Sequence, residues 1–147
     1  MGIADLNADG LLPPGTHDAS LDEIREKFGY NMRRRALVDG LQRALRNLEA
    51  AGVRVVFING SFVTRKRQPR DIDGCWEVTA DVDDVLLDPV FLDFSDHCAA
   101  MRRKYGVHFF IAQRIEHRSG VPFVTFFRET RDGRGKGILR VTLGGTP

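Results

Sequence analysis

The 147-residue chain reads as a single α/β domain, with a small mixed sheet flanked by helices. Three observations predict this class. Short apolar runs, Val53 to Ile58 and Val107 to Ala112, have the length of buried strands. Stretches with apolar residues at helical spacing lie between them, from Asn31 to Ala51 and from Pro89 to Lys104. Glycines at 29, 52 and 106 follow the helical stretches where a stop is expected. A hydrophobic content of 42% and a charged content of 29% exclude a disordered chain and leave enough apolar material for one core.

The elements follow in order. Residues 1–19 contain Gly10, Pro13, Pro14 and Gly15 without a period and read as an N-terminal arm, leaving 20–147 as the domain. Ser20 followed by Glu23 is a capping box for a short helix to about Phe28. In the next helix Met32, Leu37, Leu41, Leu45 and Leu48 define the apolar stripe, and Arg33, Arg34 and Arg35 read as a solvated first turn. Arg54 to Asn59 is a strand, Gly60 suits a positive φ, and Ser61 opens a helical turn that Pro69 ends. A strand from Asp71 to Glu77 lies beside the first. Asp81 to Asp84 is a loop or helix start. Pro89 fits the first position of a helix through Lys104. Val107 to Ala112 is the third strand, Val121 to Phe127 a strand or short helix, Arg131 to Gly137 a turn, and Ile138 to Leu143 the final strand.

A net charge of +2 does not by itself argue for nucleic acid. Its distribution is more informative, because Arg65, Lys66, Arg67 and Arg70 crowd one segment, Arg33 to Arg35 a second, and Arg131, Arg134, Lys136 and Arg140 a third. No apolar run is long enough to span a membrane, and the acidic, polar N-terminus does not resemble a secretory signal, so a cytoplasmic location is expected. Cys75 and Cys98 have no metal or disulfide spacing and read as buried thiols. Trp76 and the phenylalanines at 109, 110, 123, 126 and 127 read as core.

The chemistry concentrates in Gly60-Ser61, followed by Asp71-Ile72-Asp73. In a strand, residues i and i+2 share a face, so the two carboxylates stand side by side with Ile72 turned into the core. Adjacent carboxylates repel unless a cation holds them, and such an oxygen-rich pair suits Mg²⁺ or Mn²⁺ carrying a polyphosphate. Gly60 lets backbone approach a phosphate; the Ser61 hydroxyl and the amides after it donate to phosphate oxygens. Arg65 and Lys66, with Arg67 and Arg70, are expected to reach a triphosphate tail or an acidic acceptor.

Gly-Ser, a spacer, then Asp-Ile-Asp after a strand resembles the nucleotidyltransferase superfamily, which includes DNA polymerase beta and the minimal nucleotidyltransferases. Gly10 to His17, Asn59 to Thr64, Asp71 to Trp76, Leu87 to Phe94 and Lys136 to Ile138 together resemble a bacterial family of undefined activity within it. The resemblance implies a metal-dependent enzyme moving a nucleoside monophosphate from a nucleoside triphosphate to a protein or RNA acceptor. Asp71 and Asp73 would hold metal, and Gly60 and Ser61 the phosphates. Superfamily members of this size often serve in toxin–antitoxin pairs, which implies a cognate toxin or antitoxin partner by analogy. Active members usually carry a third carboxylate between two apolar residues of a later strand. Here that stretch is Val107-His108-Phe109, and His108 would act as a neutral base or as a ligand for Mn²⁺. Asp93 and Asp96 are fallback carboxylates. The same substitution equally fits a catalytically silent module that binds nucleotide, RNA or a partner protein. A third reading is a protein-binding subunit with its interface in the aromatic C-terminal half.

Overall fold

The computed structural model describes residues 2–128 and 137–144. Among them, five strands form one mixed sheet in the order β1-β5-β2-β3-β4. They are β1 (Gly15–Asp18), β2 (Val55–Asn59), β3 (Ile72–Trp76), β4 (Val107–Ile111) and β5 (Gly137–Thr142). β5 and β2 are antiparallel, as are β2 and β3; β1 runs parallel to β5, and β4 parallel to β3. The helices are α1 (Leu21–Phe28), α2 (Met32–Ala50), α3 (Ser95–Tyr105) and the single turn α4 (Phe123–Phe126), with 3₁₀ turns at Gly60–Val63 and Pro89–Leu92. The α/β class with a mixed sheet is as expected.

The pleat divides the sheet into two unlike faces. One carries Val56, Ile58, Ile72, Trp76, Val107, Phe109, Leu139 and Val141, and packs against α1, α2 and α3 in the main core. The other carries Phe57, Cys75 and Ile138 in a smaller cluster under Phe123, Val124 and Phe127 around α4. Both cysteines are buried and free, and burial pushes the Cys75 thiol up to about 12.

Local chemistry explains most boundaries. Ser20 and Glu23 form the expected capping box on α1, and the Asn31 side chain caps α2 through the Arg34 amide. Gly40 faces the end of α3 so closely that a Cβ there would overlap the Tyr105 carbonyl. Three expectations change. Four residues of the N-terminal arm form β1, an edge strand completed by β5. The helix expected from Pro89 to Lys104 is interrupted: a 3₁₀ turn capped by Asp88 ends at Leu92, and α3 starts at Ser95 with a left-handed turn at Asp96, His97 and Cys98, where φ is 52, 54 and 60°. The turn expected at Arg131–Gly137 lies outside the described residues up to 136.

The third correction concerns Arg34, which is 0% exposed, whereas Met32 is 80% exposed. Arg34 stands three, four and seven residues before Leu37, Val38 and Leu41, on the buried stripe. Its guanidinium donates to the carbonyls of Phe28 (3.1 Å), Phe62 (2.7 Å), Thr64 (2.8 Å) and Lys66 (2.5 Å), with a longer contact to Ser61 (3.4 Å). It also lies over the rings of Tyr30 at 4.6 Å and Phe62 at 5.1 Å. Desolvation lowers its pKa without discharging it, because an arginine starts so high.

Two stability predictions follow from these contacts. Arg34→Met leaves several buried carbonyls without donors and should cost about 3–5 kcal/mol in urea unfolding. Arg34→Lys should recover only part of this, because an ammonium cannot reach the same spread of acceptors. The second concerns Asp88, which accepts from Lys104 Nζ (2.5 Å), Tyr105 Oη (2.7 Å) and the Val90 amide (3.1 Å). Desolvation raises its pKa, but these bonds and the Lys104 charge outweigh it and hold the carboxyl below the usual range. A depressed folded-state value contributes stability in full above the unfolded pKa of about 3.9, and the contribution is lost as pH falls through the folded value. Urea unfolding from pH 6 down to 3 should therefore show a smaller decline for Asp88→Asn than for the parent chain.

Candidate metal and phosphate site

The polar residues of the second sheet face gather at one end of β3. Register places Asn59, Asp73 and His108 in one row across β2, β3 and β4. Cross-strand partners share a face, so the three side chains are neighbours. His108 Nδ1 lies 3.6 Å from Asp73 Oδ1. Asp71, two residues earlier, extends the line past the end of β3 and accepts from Arg102 Nε at 3.0 Å. One ligand atom each from Asp71, Asp73 and His108 lies within 4.8 Å of the others, and all three side chains are half-buried. Two carboxylates and an imidazole are a donor set that fits a divalent ion, with the nitrogen favouring Mn²⁺ or Zn²⁺ over Mg²⁺.

Gly60 leaves room for the Asp73 carboxylate. It sits at φ 79°, and an added Cβ would lie 2.8 Å from Asp73 Cβ and nearer still to its carboxylate. Ser61 and Thr64 line a cleft of about 210 Å³ together with Leu11, Leu12, Val63 and Gly137. The expected phosphate turn thus has a cavity against it, walled on one side by the N-terminal arm. The basic loop after Thr64 is held by its backbone: carbonyls of Arg65, Lys66, Arg67 and Pro69 accept from Tyr30, Arg34, Asn31 and Arg33. With the carbonyls turned toward α2, Arg65, Lys66 and Arg67 are exposed. The Arg65 stem packs on Gly10, beside the cleft-lining Leu11.

The fallback carboxylates lie elsewhere. Asp93 accepts from the Ser95 amide and hydroxyl, and Asp96 is exposed in the left-handed turn. His17 is tied to the Pro13 carbonyl, while His97 and His117 are exposed. Trp76 is buried as expected. The phenylalanines divide: Phe109 is core, but Phe110, Phe123 and Phe127 are half-buried and Phe126 is exposed. Phe110 stacks on Phe123 at 4.2 Å, and the His108 ring lies 5.0 Å from Phe110, so an aromatic wall adjoins the polar row. Arg131, Arg134 and Lys136 of the third basic cluster lie outside the described residues; Arg140 pairs with Asp18 through two bonds.

Asn59 is the residue that the sequence did not single out. It is 2% exposed, its Nδ2 makes only a long contact to the Phe127 carbonyl (3.4 Å), and its Oδ1 has no partner among the described residues. A buried amide oxygen left without a donor is unfavourable unless something binds it. The signal was its place directly before Gly60, at the end of a strand whose other residues are apolar.

The chain belongs to the DUF6932 family: the family model, described as a family of unknown function, matches residues 4–142. No curated protein and no solved structure matches it. Among the described residues no helix is long and apolar enough to cross a membrane.

Gly60 supplies the test of the geometry. Gly60→Ala forces a side chain into a left-handed position and against Asp73. It should lower stability by about 1–3 kcal/mol. It should also weaken Mn²⁺ binding measured by calorimetry, whereas Ser61→Ala should leave stability nearly unchanged.

Proposed function

We propose that this protein is a metal-dependent nucleotidyltransferase, transferring a nucleoside monophosphate from a nucleoside triphosphate to a hydroxyl acceptor on protein or RNA. The observation that carries this reading is the convergence of Asp71, Asp73 and His108, with Asp73 against Gly60; Gly60 and Ser61 line a cleft that none of the three enters. Asp71 and Asp73, with His108 as a third donor or as a base, would hold Mg²⁺ or Mn²⁺. The ion would supply neutralisation of the charge that grows on the phosphate oxygens.

The residues of the chain divide the remaining work. Ser61 and the amides of its turn bind phosphate, and Arg65 and Lys66 approach the triphosphate tail from the loop after Thr64. In the transfer, the acceptor oxygen bonds to the α-phosphorus. The bond from that phosphorus to the bridging oxygen breaks, and pyrophosphate leaves. The proton of the acceptor hydroxyl passes to neutral His108, whose exposed edge leaves it open to exchange with solvent. Half-buried Phe110 and Phe123, stacked on each other, border the site on its apolar side.

A second reading is a catalytically silent module that binds nucleotide, RNA or a partner protein. Two contacts favour it: Asp71 faces Arg102, and Asp73 faces His108, so each carboxylate already has a cationic or titratable neighbour.

A transfer assay separates the two. The intact protein, the four labelled nucleoside triphosphates, Mg²⁺ or Mn²⁺, and cell extract as acceptor should yield labelled product. Asp71→Ala and Asp73→Ala should each lower the yield by about a hundredfold or more. Nucleotide binding in calorimetry without product under any condition, unchanged in His108→Asp, would support the silent module instead.

A further inference from the structure

Arginines on three separate segments meet outside the site, in the groove between α2 and α3. Arg70, Arg102 and Arg103 line a cleft of about 300 Å³ together with Ala99 and Asp71. The same three arginines, with Arg33, Arg43 and Lys104, line a second cleft of about 210 Å³ over Gly40 and Tyr105. The two clefts share these three arginines. The groove exists because Gly40 lets α2 approach the end of α3, which leaves the long cationic side chains to form its walls.

Charge balance in the groove is one-sided. Arg102 pairs with Asp71 and Lys104 with Asp88. Arg33 donates to the Pro69 and Arg70 carbonyls and Arg43 to the Lys104 carbonyl, contacts that fix the guanidiniums without neutralising them. Arg70 and Arg103 are exposed and have no carboxylate partner among the described residues. Like charges gathered in a cleft repel one another and raise the local concentration of anions.

We propose that this groove binds the phosphodiester backbone of a single-stranded nucleic acid and leads it to Asp71. Six cations line the two clefts, more than a single phosphate can engage, which suits successive phosphates better than one. The proposal deepens the nucleotidyltransferase reading by assigning the acceptor class, and it rests on that reading only for what happens beyond Asp71.

The experiment is fluorescence anisotropy with labelled 12-residue RNA and DNA single strands, using the intact protein in chelator and without nucleotide. This keeps a failure of transfer chemistry separate from a failure of the groove. Binding should weaken about fifty-fold from 50 to 200 mM salt if four phosphates are contacted. Arg70→Glu with Arg103→Glu should reduce affinity about tenfold or more and flatten the salt dependence. Arg70→Gln with Arg103→Gln should do so less strongly, and circular dichroism should show both pairs folded. Arg103→Glu alone should weaken binding, whereas Arg118→Glu, the same charge change in an exposed loop past the opposite end of β4, should bind like the parent. A preference between the RNA and DNA arms would identify the natural strand. The proposal is overturned if neither strand binds, if the Arg70/Arg103 pairs bind like the parent, or if a polyglutamate peptide competes as well as an unlabelled strand.

Discussion

A guanidinium taken wholly out of water must find acceptors for its donors, and Arg34 finds them in two segments that the sequence keeps far apart. One is the end of α1, through the Phe28 carbonyl. The other is the chain leaving β2, through Phe62, Thr64 and Lys66. Charge-assisted bonds of this kind are about twice as strong as neutral ones. Their direction matters as much as their strength. A loop whose carbonyls are drawn inward must turn its side chains outward, which is why Arg65, Lys66 and Arg67 are exposed. The same clamp fixes where the Gly60-Ser61 turn ends, and Gly60 in turn leaves room for the Asp73 carboxylate. Arg34, with Tyr30, Asn31 and Arg33, thus ties the basic loop to the start of α2 beside the candidate site.

The sheet carries a second constraint. On the α4 side, one row across three strands is Asn59, Asp73 and His108, and the next along the same face is Phe57, Cys75 and Phe110. Within two residues the surroundings pass from a half-exposed carboxylate to a thiol whose ionisation is pushed to about 12. So steep a change keeps the polar row at the mouth of a dry wall. Electrostatic interactions are stronger there than in open solvent, yet the carboxylates remain accessible.

Much of this was legible in the sequence, and the omissions have physical causes. The capping box, the glycine stops, the Gly60 conformation and the pairing of β2 with β3 follow from local rules. The Asp71 and Asp73 pair follows from the two-residue repeat of a strand. Arg34 was missed because residue type was allowed to outweigh angle. Its position on the helix belongs to the stripe of Leu37, Val38 and Leu41, while Met32, apolar by type, falls off that stripe. β1 was missed because four residues without alternation carry no strand signal, and its partner β5 lies more than a hundred residues away. His108 could be singled out, but not its placement opposite Asp73, which depends on a parallel register made by a crossover through α3. Asn59 needed the register too, since a polar residue at a strand end is ordinary until its neighbours are known.

The cationic contact at Asp71 bears on whether a divalent ion could enter. Arg102 and Asp71 are 34% and 15% exposed, and ion pairs so close to solvent typically contribute about 0–1 kcal/mol. A dication placed between Asp71 and Asp73 would meet twice the charge complementarity and could displace the guanidinium at modest cost. Arg102 would not then be lost from the system, because its side chain already lines both clefts of the basic groove. Released from Asp71, it would add one uncompensated charge to a field that is already positive. By linkage the effect would be mutual: an anion that engaged Arg102 in the groove would free Asp71 for metal. On the proposed readings, the Asp71–Arg102 pair would then couple site and groove.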